Sequence, residues 1–197
     1  MSMVAIIDYG AGNVQSVKFA FNRLGVEPIL SHNIEEIRKA DHVIFPGVGH
    51  AQTAMDELKK YGLEKLIPEL KQPVLGICLG MQLLCDFSEE GKVPCLGIIP
   101  GNVKKLPPKV EFKIPHMTWN TIQNIKGKLF EEVQENDFMY FVHSYYVPKN
   151  EHTSAVCDYV LPFSAAIEKN NFYACQFHPE KSGKTGEHIL KNFLELR

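Results

Sequence analysis

The chain has 197 residues, a formal net charge of -2 at pH 7 and a hydrophobic content of 45%, enough to bury a sizeable core. No Pro/Gly/Ser-rich linker divides it, so we expect a single domain over residues 1–197. The balanced charge offers no basic surface for nucleic acid or an anionic membrane. No apolar run approaches the ~20 residues of a membrane-spanning helix, and no signal-peptide pattern is present. We therefore expect a cytoplasmic protein.

Five cysteines are present, and they form neither a CxxC pair nor a CxxH motif. An odd number without such spacing argues against a disulfide framework and against a zinc site. Free thiols fit a reducing compartment, and we expect no bound metal.

The first half of the chain alternates short apolar runs with amphipathic helical patterns. Buried parallel strands are predicted at residues 3–8, 26–30, 42–45 and 73–77. Helices are predicted from an N-cap at Asn13 to Gly25, from a cap at Ser31 or Asn33 to Ala40, and from Ala51 to Leu70 with a break near Gly62. This order predicts a doubly wound parallel sheet, with chemistry at the carboxyl ends of its strands.

The second half has a different texture, with strand-like runs separated by turns. These runs cover residues 96–106, 113–122, 138–147, 153–160, 164–170 and 171–180. They predict additional antiparallel strands before a closing helix from about Thr185 to Leu196.

A cysteine stands on a predicted strand-to-helix bend within residues 73–84. Gly76 and Gly80 flank Cys78 at the spacing of the G-x-S-x-G nucleophile elbow, with sulfur in place of the hydroxyl oxygen. The N-terminus of the following helix favours a thiolate over a thiol. A buried structural cysteine is the common alternative for a lone cysteine, but the elbow favours a nucleophile. Cys85, seven residues further along the same predicted helix face, is expected in the core.

A thiol nucleophile needs a base and a group that orients the base. His178 ends an apolar strand, and strand alternation would place it on one side with Glu180, while Pro179 stops the pairing between them. The alternative is a polar surface turn. His143 and His116 are the competing bases, but no carboxylate stands beside either of them, which favours a structural or substrate-adjacent role.

Three glycine-containing loops are candidate binding sites. The segments YGAGN (9–13) and GKT (183–185) lack the full spacing of a dinucleotide site and of a P-loop, respectively. The segment PGVG (46–49) follows a predicted central strand, where backbone N–H groups can be aimed into the crevice of the elbow. A plain tight turn remains equally open for this segment.

The elbow GICLGMQLL and the downstream FHPEKSG resemble those of the class I (triad-type) glutamine amidotransferases. Four more motifs look like those of the glutaminase subunits of imidazole glycerol phosphate synthase: DYGAGN (8–13), FPGVGH (45–50), PHMTWN (115–120) and FVHSYY (141–146). The resemblance runs from residue 3 to the C-terminus and implies a flavodoxin-like α/β fold. Thr118 departs from it, since the family usually has glycine there.

Carried over residue by residue, the resemblance implies a glutaminase that needs no cofactor. Its catalytic residues would be Cys78, His178 and Glu180, and the backbone amides of Leu79 and Val48 would form the oxyanion hole. Glutamine would be held at Gly49, Gln82, Glu90, Ser144 and Tyr145, with Glu90 as the counter-charge to the ammonium group. Asn13, Trp119 and Lys181 would face a (βα)8 cyclase subunit, forming a heterodimer that consumes the ammonia; neither nucleic acid nor a membrane is implied.

Three other functions remain open on the residues alone. One is an amidotransferase subunit of a related amidation pathway, and another is a free-standing thiol hydrolase with steady turnover and no partner. The third is a non-catalytic FMN-binding or scaffold protein of flavodoxin type.

Overall fold

The structure, a computed structural model, describes residues 2–10 and 13–197. Its strands are β1 Val4–Ile7, β2 Ile29–Ser31, β3 His42–Phe45, β4 Val74–Ile77, β5 Cys85–Ser88, β6 Val93–Pro94, β7 Ile99–Lys105, β8 His116–Thr121, β9 Phe138–His143, β10 Tyr145–Tyr146, β11 Thr153–Asp158, β12 Pro162–Lys169 and β13 Phe172–Cys175. Its α-helices are α1 Val14–Arg23, α2 Ile34–Lys39, α3 Ala51–Lys60, α4 Leu63–Glu69, α5 Leu79–Leu83 and α6 Gly183–Glu195. Short 3₁₀ helices occupy Lys128–Phe130 and Pro179–Lys181. Within the described ranges, no helix is both long enough and apolar enough to cross a bilayer.

The main sheet confirms the predicted doubly wound α/β architecture. Its seven strands run in the order β11-β12-β13-β4-β3-β1-β2. The five from β13 to β2 are mutually parallel, which is the flavodoxin-like order, and β11 and β12 extend one edge antiparallel. Because β13 lies parallel to β4, the segment that follows β13 emerges beside the elbow that follows β4. This pairing brings residues about a hundred positions apart to one edge.

Two smaller sheets account for the other strands of the second half. β10, β7, β5 and β6 form a four-stranded sheet, and β8 pairs only with β9 as an antiparallel ribbon. β9 lies beside the 3₁₀ turn that follows β13. The ribbon therefore packs at the carboxyl edge of the main sheet, and Phe141 of β9 joins the core beside Phe163 and Phe177.

Apolar side chains are buried on both faces of the main sheet. One cluster includes Phe21 of α1, Phe193 of α6 and Phe177. The other includes Met55 and Leu58 of α3. All five side chains are at most 2% exposed. The strands buried on both faces are continuous apolar runs, which is why they could be predicted from the sequence.

Most predicted boundaries in the first half hold within a few residues, and Asn13 and Asn33 are the N-caps of α1 and α2. The second strand begins later than residue 26, because the Val26 N–H closes the end of α1 by bonding to the carbonyl of Phe21. Pro28 has no N–H for the ladder either. β2 therefore starts only at Ile29.

The prediction for Cys85 was wrong in its element and right in its burial. The helix after the elbow, α5, ends at Leu83, and Cys85 starts strand β5 with no exposed surface. The Leu84 carbonyl accepts from the N–H groups of Ile98 and Ile99. Pairing with β7 therefore replaces a further helical turn.

Candidate active site

Cys78 lies at a strained bend between β4 and α5. Its φ of 54° and ψ of -108° fall in a region that non-glycine residues rarely adopt. The ladder of β13 holds the bend, since the Cys78 N–H donates to the carbonyl of Cys175 at 2.8 Å. A Cβ at Gly80 would overlap the carbonyl oxygen of Phe45. Gly80 is thus required for α5 to pass close to β3, as the elbow motif predicts.

The helix that follows Cys78 is shorter than predicted. α5 has five residues, so its macrodipole is small and supplies less thiolate stabilisation than a full-length helix. Side-chain partners of the sulfur therefore carry more of the electrostatic task.

His178 and Glu180 form a buried pair at the end of β13. Nδ1 of His178 lies 2.8 Å from Oε1 of Glu180, and the two side chains are 4% and 1% exposed. The prediction that strand alternation brings them together was wrong, because Glu180 belongs to the 3₁₀ turn Pro179–Lys181. Ser182 closes this turn by donating to the His178 carbonyl at 2.6 Å and accepting from the Tyr140 N–H at 3.0 Å. The turn is therefore fixed to β9.

The partners of His178 define its state. Burial alone would lower the pKa of His178, but hydrogen bonds to Cys78 and Glu180 outweigh it and raise the pKa to about 10. Because Nδ1 is bound to Glu180, Nε2 is the nitrogen that remains for Cys78. Cys78 and His178 line the same cavity, and Glu180 is bonded to His178 on the far side, the arrangement that a thiol nucleophile and its base require.

The two competing bases are occupied elsewhere. Nδ1 of His143 lies 2.7 Å from the carbonyl of Tyr145, and its Nε2 lies 3.0 Å from Nδ1 of His116. His116 stacks between the rings of Phe141 and Tyr159. Desolvation by burial lowers the pKa of His116 to about 4 and, with the neighbouring histidines, that of His143 to about 3. Both histidines are therefore neutral members of the packed interior.

This pair predicts acid sensitivity of folding. A histidine whose folded pKa is depressed contributes stability above its unfolded pKa, near 6.5, and loses it as pH falls toward the folded value. We expect the free energy of unfolding to fall between pH 6.5 and 5 by up to about 1.4 kcal/mol per pH unit for each of His116 and His143. The free energy of unfolding is measured by urea titration at several pH values for the wild type and for His116→Phe. It should change less steeply with pH in the variant. His32→Gln, at an exposed site, is the control, and an unchanged slope in His116→Phe would contradict the prediction.

The PGVG loop presents a carbonyl group to the elbow. The N–H of Leu79 donates to the carbonyl of Gly47 at 3.3 Å. In a trans peptide the N–H of Val48 points opposite to the Gly47 carbonyl. The loop is anchored below by the buried Tyr9, whose hydroxyl donates to the Pro46 carbonyl at 2.8 Å. The Leu79 donor is thus occupied in this conformation.

A cavity of about 200 Å³ opens over Cys78, a size suited to one small metabolite. Its lining comprises Val48, Gly49, Cys78, Leu79, Gln82, Glu90, Val142, His143, Ser144, Tyr145, His178 and Lys181. All five predicted glutamine-binding residues are therefore brought together. Glu90 sits at the N-terminus of α3, where its Oε2 accepts from the Ala51 N–H at 2.9 Å. Within residues 2–10 and 13–197, no three His, Cys, Asp or Glu side chains are grouped as a metal site.

Of the three predicted partner-facing residues, Lys181 lines this cavity. Trp119 is 48% exposed and packs edge-on against Tyr140, whose carbonyl accepts from the His178 N–H at 2.9 Å. Lys181 is exposed at the rim. Asn13 also has a structural task, since its side chain caps α1 by accepting from the Ser16 N–H.

Sequence reasoning missed Gln176, which contacts the nucleophile from below. Its Nε2 lies 3.7 Å from Sγ of Cys78, and its side chain has no exposed surface. It also missed Val142, whose carbonyl lies 3.6 Å from the same sulfur. Alternation along a strand continuing to His178 would have pointed Gln176 to the same face as His178.

The family model for class I glutamine amidotransferases matches residues 5–196. The chain belongs to this family, and it is a glutamine amidotransferase.

Two similar proteins of nearly the same length share one name. The chain is 59% identical over 194 residues to the imidazole glycerol phosphate synthase subunit HisH of Bacteroides fragilis strain YCH46, covering 98% of this chain and 99% of that protein. It is 50% identical over 196 residues to the protein of the same name from Pasteurella multocida, covering 99% and 98% of the two chains.

A solved structure is similar in fold. A chain of PurLQS from Thermotoga maritima superposes with a TM-score of 0.71 at 18% identity, covering 99% of this chain and 99% of that one.

Proposed function

We propose that this chain is the glutaminase subunit of an imidazole glycerol phosphate synthase, acting in histidine biosynthesis in the cytoplasm as a single domain. The observation that carries the proposal is that Cys78 and His178 line one cavity, with Glu180 bonded to His178 behind it. The HisH names of the full-length relatives support the pathway. The partner we propose is a (βα)8 cyclase subunit, bound as a heterodimer.

The chemistry follows from the order of contacts. His178, whose pKa lies above neutral, holds the thiol proton before the attack. Cys78 then attacks the side-chain amide carbon of glutamine, and a tetrahedral oxyanion forms. His178 then gives the proton to the departing nitrogen, leaving ammonia and a γ-glutamyl thioester. Water hydrolyses the thioester with His178 again as base, and Glu180 stabilises the imidazolium in both halves. No metal or organic cofactor takes part.

The cavity offers a charged side chain for one end of the substrate and uncharged walls for the other. Glu90 lies at the rim and supplies a negative charge for the α-ammonium group of glutamine. Gly49, Gln82, Ser144 and Tyr145 complete the walls around the α-carboxylate and the chain. These assignments place the side-chain amide over the sulfur.

The oxyanion hole needs a rearrangement before it can act. Rotating the Gly47–Val48 peptide would free the N–H of Leu79 and turn the N–H of Val48 into the cavity in one movement. Each donor of this kind is worth on the order of 3 kcal/mol in acyl transfer, so even one donor changes the rate by ~100-fold or more. We propose that docking of the cyclase with its acceptor nucleotide favours the rotated peptide.

The partner would dock on the β8–β9 ribbon and the adjacent turn. Met117, Trp119 and Phe138 expose 58%, 48% and 59% of their surfaces there, and large exposed aromatic groups are typical interface anchors. Lys181 adds a charge beside them. Thr118 is exposed within the regular strand β8, so its presence in place of glycine adds no backbone strain.

The test is glutaminase turnover, measured as ammonia release from glutamine under three conditions: the chain alone, the chain with the cyclase, and the chain with the cyclase and its acceptor nucleotide or an analogue. We expect low turnover alone and an increase of ~100-fold or more in the third condition. Equal rates in all three would favour a free-standing thiol hydrolase. Activation by a synthase of another pathway instead of the cyclase would assign the chain to that pathway.

A further inference from the structure

Beneath the cavity, a line of side-chain amides reaches the nucleophilic sulfur. Nε2 of Gln82 donates to the carbonyl of Tyr145 and to Oε1 of Gln176, both at 2.9 Å. Nε2 of Gln176 in turn lies 3.7 Å from Sγ of Cys78. Gln176 is fully buried and Gln82 is 4% exposed. Neither amide of this line is therefore free to reorient toward solvent.

The Tyr145 carbonyl, at the end of the line away from Cys78, determines the direction of every hydrogen bond in it. A backbone carbonyl can only accept, so Tyr145 requires Gln82 to present its NH₂ group. That group then requires an oxygen from Gln176, which leaves the NH₂ of Gln176 facing the sulfur. Turning either amide over would set two donors or two acceptors against each other.

We propose that Gln176 is a further catalytic residue, whose side-chain N–H donates to Sγ of Cys78 and stabilises its thiolate, with Gln82 and the Tyr145 carbonyl as the positioning groups behind it. The inference rests on the proposed function only in taking Cys78 as the nucleophile. It assigns Gln82, which lines the cavity, the second task of positioning the side chain of Gln176.

The reaction gives this donor a part that His178 cannot fill. His178 donates to the thiolate only while it holds the proton, and it releases that proton to the departing ammonia. The sulfur leaves again as a thiolate when water cleaves the thioester. The N–H of Gln176 carries no transferable proton and remains in place in both steps. The carbonyl of Val142, 3.6 Å from the sulfur, favours the thiol and makes a fixed donor on the other side more important.

Several titratable groups surround the sulfur and are common to all variants of the test. They are Tyr9, His143, Cys175, His178 and Glu180 near Cys78, with Glu90 and Lys181 at the cavity rim. Because none of them changes in the variants at position 176, a shift in thiol titration reports the residue at that position.

The experiment is the pH dependence of alkylation of Cys78 by iodoacetamide in the full-length chain, with the modified cysteine located by peptide mass spectrometry. Gln176→Leu removes the donor, and we expect the midpoint for thiolate formation to rise by about one pH unit, a ~10-fold slower reaction at pH 7. Gln176→Glu keeps the size but turns an oxygen to the sulfur, so its midpoint should rise further. Cys157→Ala, a fully buried change in β11, should keep the wild-type midpoint.

The turnover of the chain with its cyclase gives a second measurement. We expect Gln176→Leu to lower kcat ~10-fold or more and leave KM for glutamine within about threefold, since Gln176 does not line the cavity. Wild-type midpoints in both folded variants, or a lower midpoint in Gln176→Glu, would overturn the inference. Should Gln176→Leu fail to fold, the near-isosteric Gln176→Glu decides alone. Alkylation spread over all five cysteines would instead count against the proposed function itself.

Discussion

Cys78→Ala is expected to reduce ammonia release from glutamine by on the order of 10⁵-fold in the complex with the cyclase and its acceptor nucleotide. The alanine removes the only group of the cavity floor that can form the thioester, and the remaining donors act on an intermediate that no longer arises. The side chain is small and lies at the end of β4, so the fold should persist. The measurement is turnover under saturating glutamine, with circular dichroism as the check on folding.

The matched control is Cys95→Ala. Cys95 is half-buried and its thiol is a poor nucleophile at neutral pH, because burial raises its pKa to about 11. We expect this variant to keep the wild-type rate. Retention of more than a tenth of the activity by Cys78→Ala would remove Cys78 from the role of nucleophile.

His178→Asn is expected to lose nearly as much activity as Cys78→Ala. The loss in Glu180→Gln should be about 10–100-fold smaller than the loss in His178→Asn. The asparagine cannot move a proton between sulfur and nitrogen, whereas the glutamine oxygen can still accept from Nδ1 and orient the ring. What Glu180→Gln loses is the charge that stabilises the imidazolium. Both rates are measured in the same complex.

The double variant Cys78→Ala/His178→Asn should be scarcely worse than either single change, because the two groups act as one unit. Additive losses would separate His178 from the nucleophile. His143 cannot replace it in this structure, since both of its ring nitrogens are bound.

Much of the architecture could be predicted because its signals are local. The strands of the main sheet are apolar runs, and the elbow is marked by two glycines at fixed spacing around Cys78. The flavodoxin-like order is confirmed. Cys85 shows the limit of prediction from local patterns. The helix α5 ends because the residues from Cys85 onward pair with β7, and a partner distant in sequence leaves no periodic pattern. The late start of β2 has the same origin in the cap of α1.

The site divides in a similar way. His178 and Glu180 could be predicted from the chemistry that a thiol nucleophile needs, although a 3₁₀ turn and Ser182, not strand alternation, bring them together. The hydrogen bond that occupies the Leu79 N–H depends on the orientation of the Gly47–Val48 peptide group, which no residue type specifies. Gln176 was missed because strand alternation marks only the face it shares with His178, whereas its contact with Cys78 depends on a residue about a hundred positions away.

The most direct test of the whole account is trapping of the covalent intermediate. The Glu180→Gln variant, bound to the cyclase and its acceptor nucleotide, is mixed with glutamine, quenched in acid within a turnover and examined by intact mass and peptide mass spectrometry. We expect a chain heavier by one γ-glutamyl group, attached to Cys78, and this group should disappear on incubation at neutral pH as glutamate appears. Turnover of glutamine with no covalent species at Cys78 at any quench time, or a glutamyl group on another residue, would contradict it.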